Sequence, residues 1–291
     1  MTMQTAISAT GDGAGVSGPV EGEALVIGDG FRALSFRHGA FDGLMDPLVM
    51  VDHFTMTEPT FGAHPHAGMS AVSVLFEDSV GVFNNRDSLG HDIDLLPGDL
   101  YWLKAGRGAV HDEAPRPGAR THALQVFVNL PAHMKQDAPE SLHVPAGDIP
   151  VIEGEGHRVR VVLGESNGIA GAQAPGLPLG ILDIRLAPGG GYTHRLPDRK
   201  SIWVLAIDGN ATLRSGEVSE PVRQGHAVAL RPGPAGAPVS LQSEDGAQLV
   251  LFEGDPVAER FVQRGPFVMS TVEEIERVRA AFAAGQLGSI D

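Results

Sequence analysis

The chain has 291 residues, 42% apolar and 20% charged, which suffices for two ordinary domains with sizeable cores and is globular in composition. A net charge of −15, with no Lys/Arg run, argues against direct nucleic-acid binding. There is no cysteine, so disulfides, zinc knuckles, iron–sulfur clusters and thiolate chemistry are excluded, leaving His, Asp and Glu as metal ligands.

Residues 1–20 are rich in Ala, Gly, Ser and Thr and lack the charged start and continuous apolar core of a signal peptide. They are expected to form a flexible N-terminus. No stretch approaches the roughly 18 unbroken apolar residues of a membrane span, so a cytoplasmic protein without a membrane partner is expected. The 38 Gly and 21 Pro residues follow no collagen-like period; they punctuate short strands and point to an all-β sandwich or barrel. A first β-rich unit, 21–136, has apolar runs at 24–27, 47–51, 71–76, 92–96 and 123–130, with turn signals at Asp29-Gly30, Pro97-Gly98 and Arg116-Pro-Gly118 between them. Residues 137–156 are polar, contain Pro and Gly, and read as a linker. A second unit, 157–260, repeats the pattern with runs at 159–163, 179–186, 201–207, 227–230 and 248–252. Phe61-Gly-Ala-His64 and Gly190-Gly-Tyr-Thr-His194 hint at a duplication.

The segment 261–291 changes character. Thr271-Val-Glu-Glu274 matches a capping box, and Val272, Ile275, Val278 and Phe282 follow at helical spacing. Gly285 and Gly288 supply the stop. One short amphipathic helix over 272–284 is predicted, docked by its apolar stripe on a barrel.

Chemistry concentrates in two pairs. His64-Pro-His66 is an H-x-H and His111-Asp-Glu113 an H-x-E. Residues i and i+2 of a strand share a face, so two facing strands present three imidazoles and one carboxylate to a common point. That set suits one divalent metal, whether Fe(II), Ni, Mn, Co, Cu or Zn, and leaves positions open for oxygen or substrate. Leu96-Pro-Gly-Asp-Leu100, then Ala105-Gly-Arg-Gly108 and His111, has the turn–strand–turn form of a cupin motif.

Residues 47–131 resemble the pirin family. The resemblance runs through Pro47-Leu-Val-Met-Val-Asp-His-Phe54, His64-Pro-His-Ala-Gly68, Arg86-Asp-Ser-Leu-Gly90, Trp102-Leu-Lys-Ala-Gly-Arg-Gly108, His111-Asp-Glu-Ala-Pro115 and His122-Ala-Leu-Gln-Val-Phe-Val-Asn-Leu-Pro131, and returns at Gly265-Pro-Phe-Val-Met-Ser-Thr271. It implies a bicupin, two antiparallel jelly-roll-like β-barrels plus the short C-terminal helix. It also implies a metal held by the first barrel at His64, His66, His111 and Glu113, and none in the second. Two departures stand out: Ser70 occupies the position of a ligand Glu in many cupins, and the stretch between Phe76 and Arg86 is longer than a usual hairpin.

The resemblance implies two functions of different kinds. One is a quercetin 2,3-dioxygenase-like enzyme acting on a flavonol-like small molecule and O₂, with Glu113 as both ligand and catalytic base. The other is an iron-dependent, redox-sensing protein partner of transcription factors or metabolic enzymes, without turnover. A deep pocket beside the metal favours the first; a site plugged by Phe and Met favours the second. Among the remaining polar residues, His194 and His226 are expected to be hydrogen-bonded or at the surface, and His53 and His122 structural or supporting the ligands. Asp112 is expected to point away from the metal, Arg86-Asp87 to form an ion pair or turn, and Lys104 and Arg107 to sit in a solvated loop.

Overall fold

Strands occupy nearly every apolar run, and both faces of the central ones are buried. The computed structural model describes residues 4–7, 15–196, 200–232 and 237–290. In the first half a seven-stranded antiparallel sheet runs Glu140–Val144, Leu100–Lys104, Met69–Leu75, Thr121–Asn129, Leu48–Met56, Phe31–Arg37 and Glu23–Ile27. A four-stranded sheet, Asp92–Leu95, Phe83–Asp87, Ala109–Pro115 and His64–His66, covers its inner face. The second half repeats this scheme: a large sheet built on Leu179–Leu186, Ala247–Gly254 and Ser201–Gly209 faces a four-stranded one that carries Gly191–His194. These are jelly-roll-like sandwiches rather than closed barrels.

The two large sheets pack outer face to outer face. Phe36, Val72, Trp102 and Val126 from the first meet Ile181, Trp203, Leu205 and Phe252 from the second in one buried cluster. A strand sandwiched between that interface and its own interior needs apolar side chains on both sides. Hence Met69–Leu75 is buried at every position. Charge reinforces the joint at its rim: Arg158 grips Glu77 with two hydrogen bonds of 2.7 and 2.9 Å, and Arg185 adds a contact at 3.2 Å.

The chain ends and the supposed linker are woven into the sheets. Gln4–Ile7 pairs with Arg260–Arg264, and Gly15–Val16 and Val20–Glu21 pair with His226–Arg231 of the second half. Residues 1–3 and 8–14 of the N-terminal segment lie outside the described residues. Of the linker 137–156, Glu140–Val144 covers the edge of Leu100–Lys104, and Val151–Gly154 opens the next sheet. An open edge is a row of unpaired backbone groups, and polar chain next to it satisfies them. The helix forms at Val272–Ala283 with the Thr271/Glu274 capping box made in both directions. Ile275 and Val278 dock it beside Ala67 and Val110 of the first half.

Candidate metal centre

The register of two strands assembles the centre. His64–His66 pairs antiparallel with Ala109–Pro115, so that His111 lies directly opposite His64 and Ala109 opposite His66. All three imidazoles therefore project from one face. The Nε2 atoms of His66 and His111 stand 2.9 Å apart, and those of His111 and His64 3.1 Å apart. Among the described residues these three form the group able to hold a metal ion. Two nitrogens at about 2.1 Å from a shared ion and at right angles to each other are separated by about 3.0 Å, so the spacing fits a single ion. His64 turns Nδ1 to the Gly62 carbonyl at 2.8 Å, which keeps the proton there and leaves Nε2 as the donor lone pair.

Electrostatics favours neutral imidazoles. Burial lowers the pKa of His64, and it drives those of His66 and His111 well down, helped by the neighbouring rings. Neutral His is the metal-binding form. The fourth expected ligand stands apart from this trio. Glu113 sits two residues beyond His111 on the same face; one carboxylate oxygen accepts from Ser73 Oγ at 2.6 Å and the other lies 4.0 Å from His111 Nδ1. Burial pushes Glu113 up to about 7, against the Ser73 hydrogen bond.

A cavity of about 640 Å³ opens on His64, His66 and Glu113. Its walls are largely aromatic, from Phe31, Phe54, Phe61, Phe83 and Phe127, and the turn Gly265–Pro266 of the C-terminal segment closes one side. The sequence reading missed Ser73, Gln125 and these walls. The available signals were polar residues at Ser73 and Gln125 inside otherwise apolar runs, and the i, i+2 placement of Gln125 and Phe127.

The other expectations divide. Asp112 does point away, into an ion pair with Arg86 at 2.7 Å. Arg86 thus reaches across the sheet to Asp112, while Asp87 accepts from the Tyr101 hydroxyl and from the amides of Leu89 and His91. Lys104 is not a loop residue; it is buried and paired with Glu140. His53 and His122 do not touch the centre: they bond each other at 2.7 Å, and His122 reaches Asp78, also at 2.7 Å. His194 is buried between Ser166 Oγ at 2.8 Å and Glu253 at 2.9 Å. His226 bonds its own turn at Gln224.

Two cupin-type sandwiches in tandem, with buried imidazoles converging only in the first among the described residues, define a bicupin with one candidate metal centre. Residues 32–128 match the model of the pirin domain and residues 181–288 that of the pirin C-terminal cupin domain. The chain belongs to the pirin family. It is 32% identical over 247 residues to the pirin of Homo sapiens, covering 84% of this chain and 83% of that one. A pirin-like protein of Solanum lycopersicum is 32% identical over 245 residues, covering 84% and 82%. A quercetin 2,3-dioxygenase from Acinetobacter baumannii superposes with a TM-score of 0.83 at 27% identity, over 96% of this chain and 99% of the other. An Escherichia coli pirin solved with nickel(II) shares the fold, with a TM-score of 0.60 at 16% identity over 88% and 100%.

Proposed function

We propose that the protein is a metal-dependent dioxygenase that opens the ring of a flavonol-type substrate in the manner of a quercetin 2,3-dioxygenase, with Fe(II) as its metal. The observation that carries this reading is the cavity. Its volume of about 640 Å³ falls within the usual range for small-molecule sites, and it opens directly on the imidazole cluster. Phe and Met side chains line it without plugging it. The likeness to the Acinetobacter baumannii enzyme supports the same reading.

A bound divalent ion supplies charge stabilisation and a means of bringing an enolate and O₂ together. The chain supplies the rest. His64, His66 and His111 hold the ion, with Glu113 completing the set. Glu113 takes the proton of the substrate hydroxyl, while Ser73 fixes the orientation of its carboxylate. The aromatic walls position the flat rings and exclude water. The substrate and O₂ are then the partners, no nucleic acid or membrane is engaged, and the reaction takes place in the cytoplasm. Among the described residues no helix is long and apolar enough to cross a membrane.

The test is oxygen uptake by the Fe(II)-loaded protein with quercetin. Uptake is expected in the parent and is abolished in His64→Ala and His111→Ala, which lose the metal but remain folded, because the core supplies most of the stability. A parent inactive with every metal of the series would shift the reading to the regulatory partner.

A further inference from the structure

One polar row crosses the inner face of the seven-stranded sheet at right angles to its strands. Ser35, Asp52, Gln125, Ser73 and Tyr101 are direct cross-strand neighbours in that order on five adjacent strands. Phe54 flanks it on one side within the cavity, and Phe127, Met50 and the charged Arg37 flank it on the other. At the metal end Ser73 holds Glu113. Gln125 is held internally: its Nε2 donates to the Val72 carbonyl at 3.3 Å, and its Oε1 lies 3.2 Å from Ser73 Oγ, whose single proton is directed to the nearer Glu113.

Asp52 differs from the others. Ser35 donates to its Oδ1, and Arg37 stands 3.9 Å from that same oxygen. Its Oδ2 makes no hydrogen bond among the described residues, and the side chain, 13% exposed, lines the same cavity as His64 and Glu113. That oxygen faces the cavity, where a donor brought by a ligand can pair with it in place of solvent. Two strand spacings, together about 10 Å, separate Asp52 from Ser73. The cavity therefore has a polar contact point at Asp52 about two strands away from the metal end, with Gln125 between them and aromatic walls on either side.

We propose that Asp52 is a specificity-determining residue that accepts a hydrogen bond from a second hydroxyl of the substrate, so that the site selects flat, polyhydroxylated aromatics over otherwise similar molecules with a chelating edge alone. This rests on the dioxygenase reading of the cavity. Selection of this kind is expected because a site built to pair a hydroxyl discriminates strongly against the analogue lacking it.

Equilibrium binding to the Fe(II)-loaded protein without oxygen tests it, using quercetin and 3-hydroxyflavone as probes. The two share the chelating edge and differ in their further ring hydroxyls. A hydrogen bond to a carboxylate predicts a preference for quercetin of about tenfold to a hundredfold. Asp52→Ala should bring that ratio close to one while leaving 3-hydroxyflavone affinity within about twofold. Asp52→Asn, which preserves size and one acceptor oxygen, should retain part of the preference and guards against a folding defect in the alanine variant. A ratio unchanged in a folded variant with full metal content, or a parent that binds both probes equally, overturns the role of Asp52 and leaves the dioxygenase reading standing. A parent that binds neither probe overturns both.

Discussion

At Glu113, burial and hydrogen bonding pull in opposite directions. Burial and neighbouring Asp112 raise its pKa, Ser73 lowers it, and the balance is about 7. That balance belongs to the metal-free protein; a divalent ion beside the carboxyl would favour its charged form. In metal-free protein the folded chain then keeps a proton that the unfolded chain releases between pH 4.5 and about 7. Stability through this group is therefore full below pH 4.5 and is lost as pH rises to 7, by roughly 3 kcal/mol. His53, driven by burial to about 4, acts with the opposite sign, losing stability as pH falls from 6.5. Denaturant titrations of parent and Glu113→Gln, compared pH by pH, should isolate the Glu113 slope. The same variant should bind metal about 10- to 100-fold more weakly and, at full occupancy, turn over roughly 10²- to 10⁴-fold more slowly. Equal rates of oxygen consumption would exclude Glu113 as the base.

A three-residue edge strand is a weak support for two ligands, and the C-terminal segment reinforces it. Ala67 pairs with Phe267, and the Val268 amide donates to the Ala67 carbonyl at 3.0 Å. Gly68 adopts φ +73°, and a Cβ there would overlap the Val268 carbonyl, so the close approach requires glycine. The buried Lys135 locks this junction, donating to the carbonyls of Gly68 at 2.8 Å and Val268 at 2.9 Å and to Asn129 Oδ1 at 2.6 Å. Lys135→Met removes all three donors and leaves buried acceptors unpaired. A lower melting temperature and roughly 10-fold weaker metal binding are expected, the latter because the histidine strand loses its anchor. Parent-like metal affinity in the folded variant would show that Lys135 supports only the fold.

Across the whole molecule, two sandwiches of one design carry different interiors. The strand equivalent to His64–His66 in the second half ends at His194, whose ring is already bonded on both nitrogens to Ser166 and Glu253. Its cross-strand neighbour is Val239, where the first half has the His64–His111 pair. One equivalent of metal per chain is therefore expected by elemental analysis, unchanged in His194→Ala. A second equivalent that disappears in that variant would contradict the assignment. The exchanged chain ends bind the halves to each other: the first strands complete the second sheet, and the C-terminal segment seals the first cavity.

Much of this was legible in the residues. The H-x-H and H-x-E spacings fixed three converging imidazoles, because strand period alone puts i and i+2 on one face. Turn residues between apolar runs located most strands, and Thr271 and Glu274 marked the helix start, since these are local effects carried by adjacent side chains. What the residues could not reveal depends on register and contact between distant segments. Ser73 meets Glu113, Asp52 joins the cavity, Lys104 becomes buried and the supposed linker becomes edge strand only once the sheets are paired. The free oxygen of Asp52 and the grip of Lys135 on the Gly68 turn arise from strands far apart in the chain, and only packing decides which polar groups are left to meet a ligand.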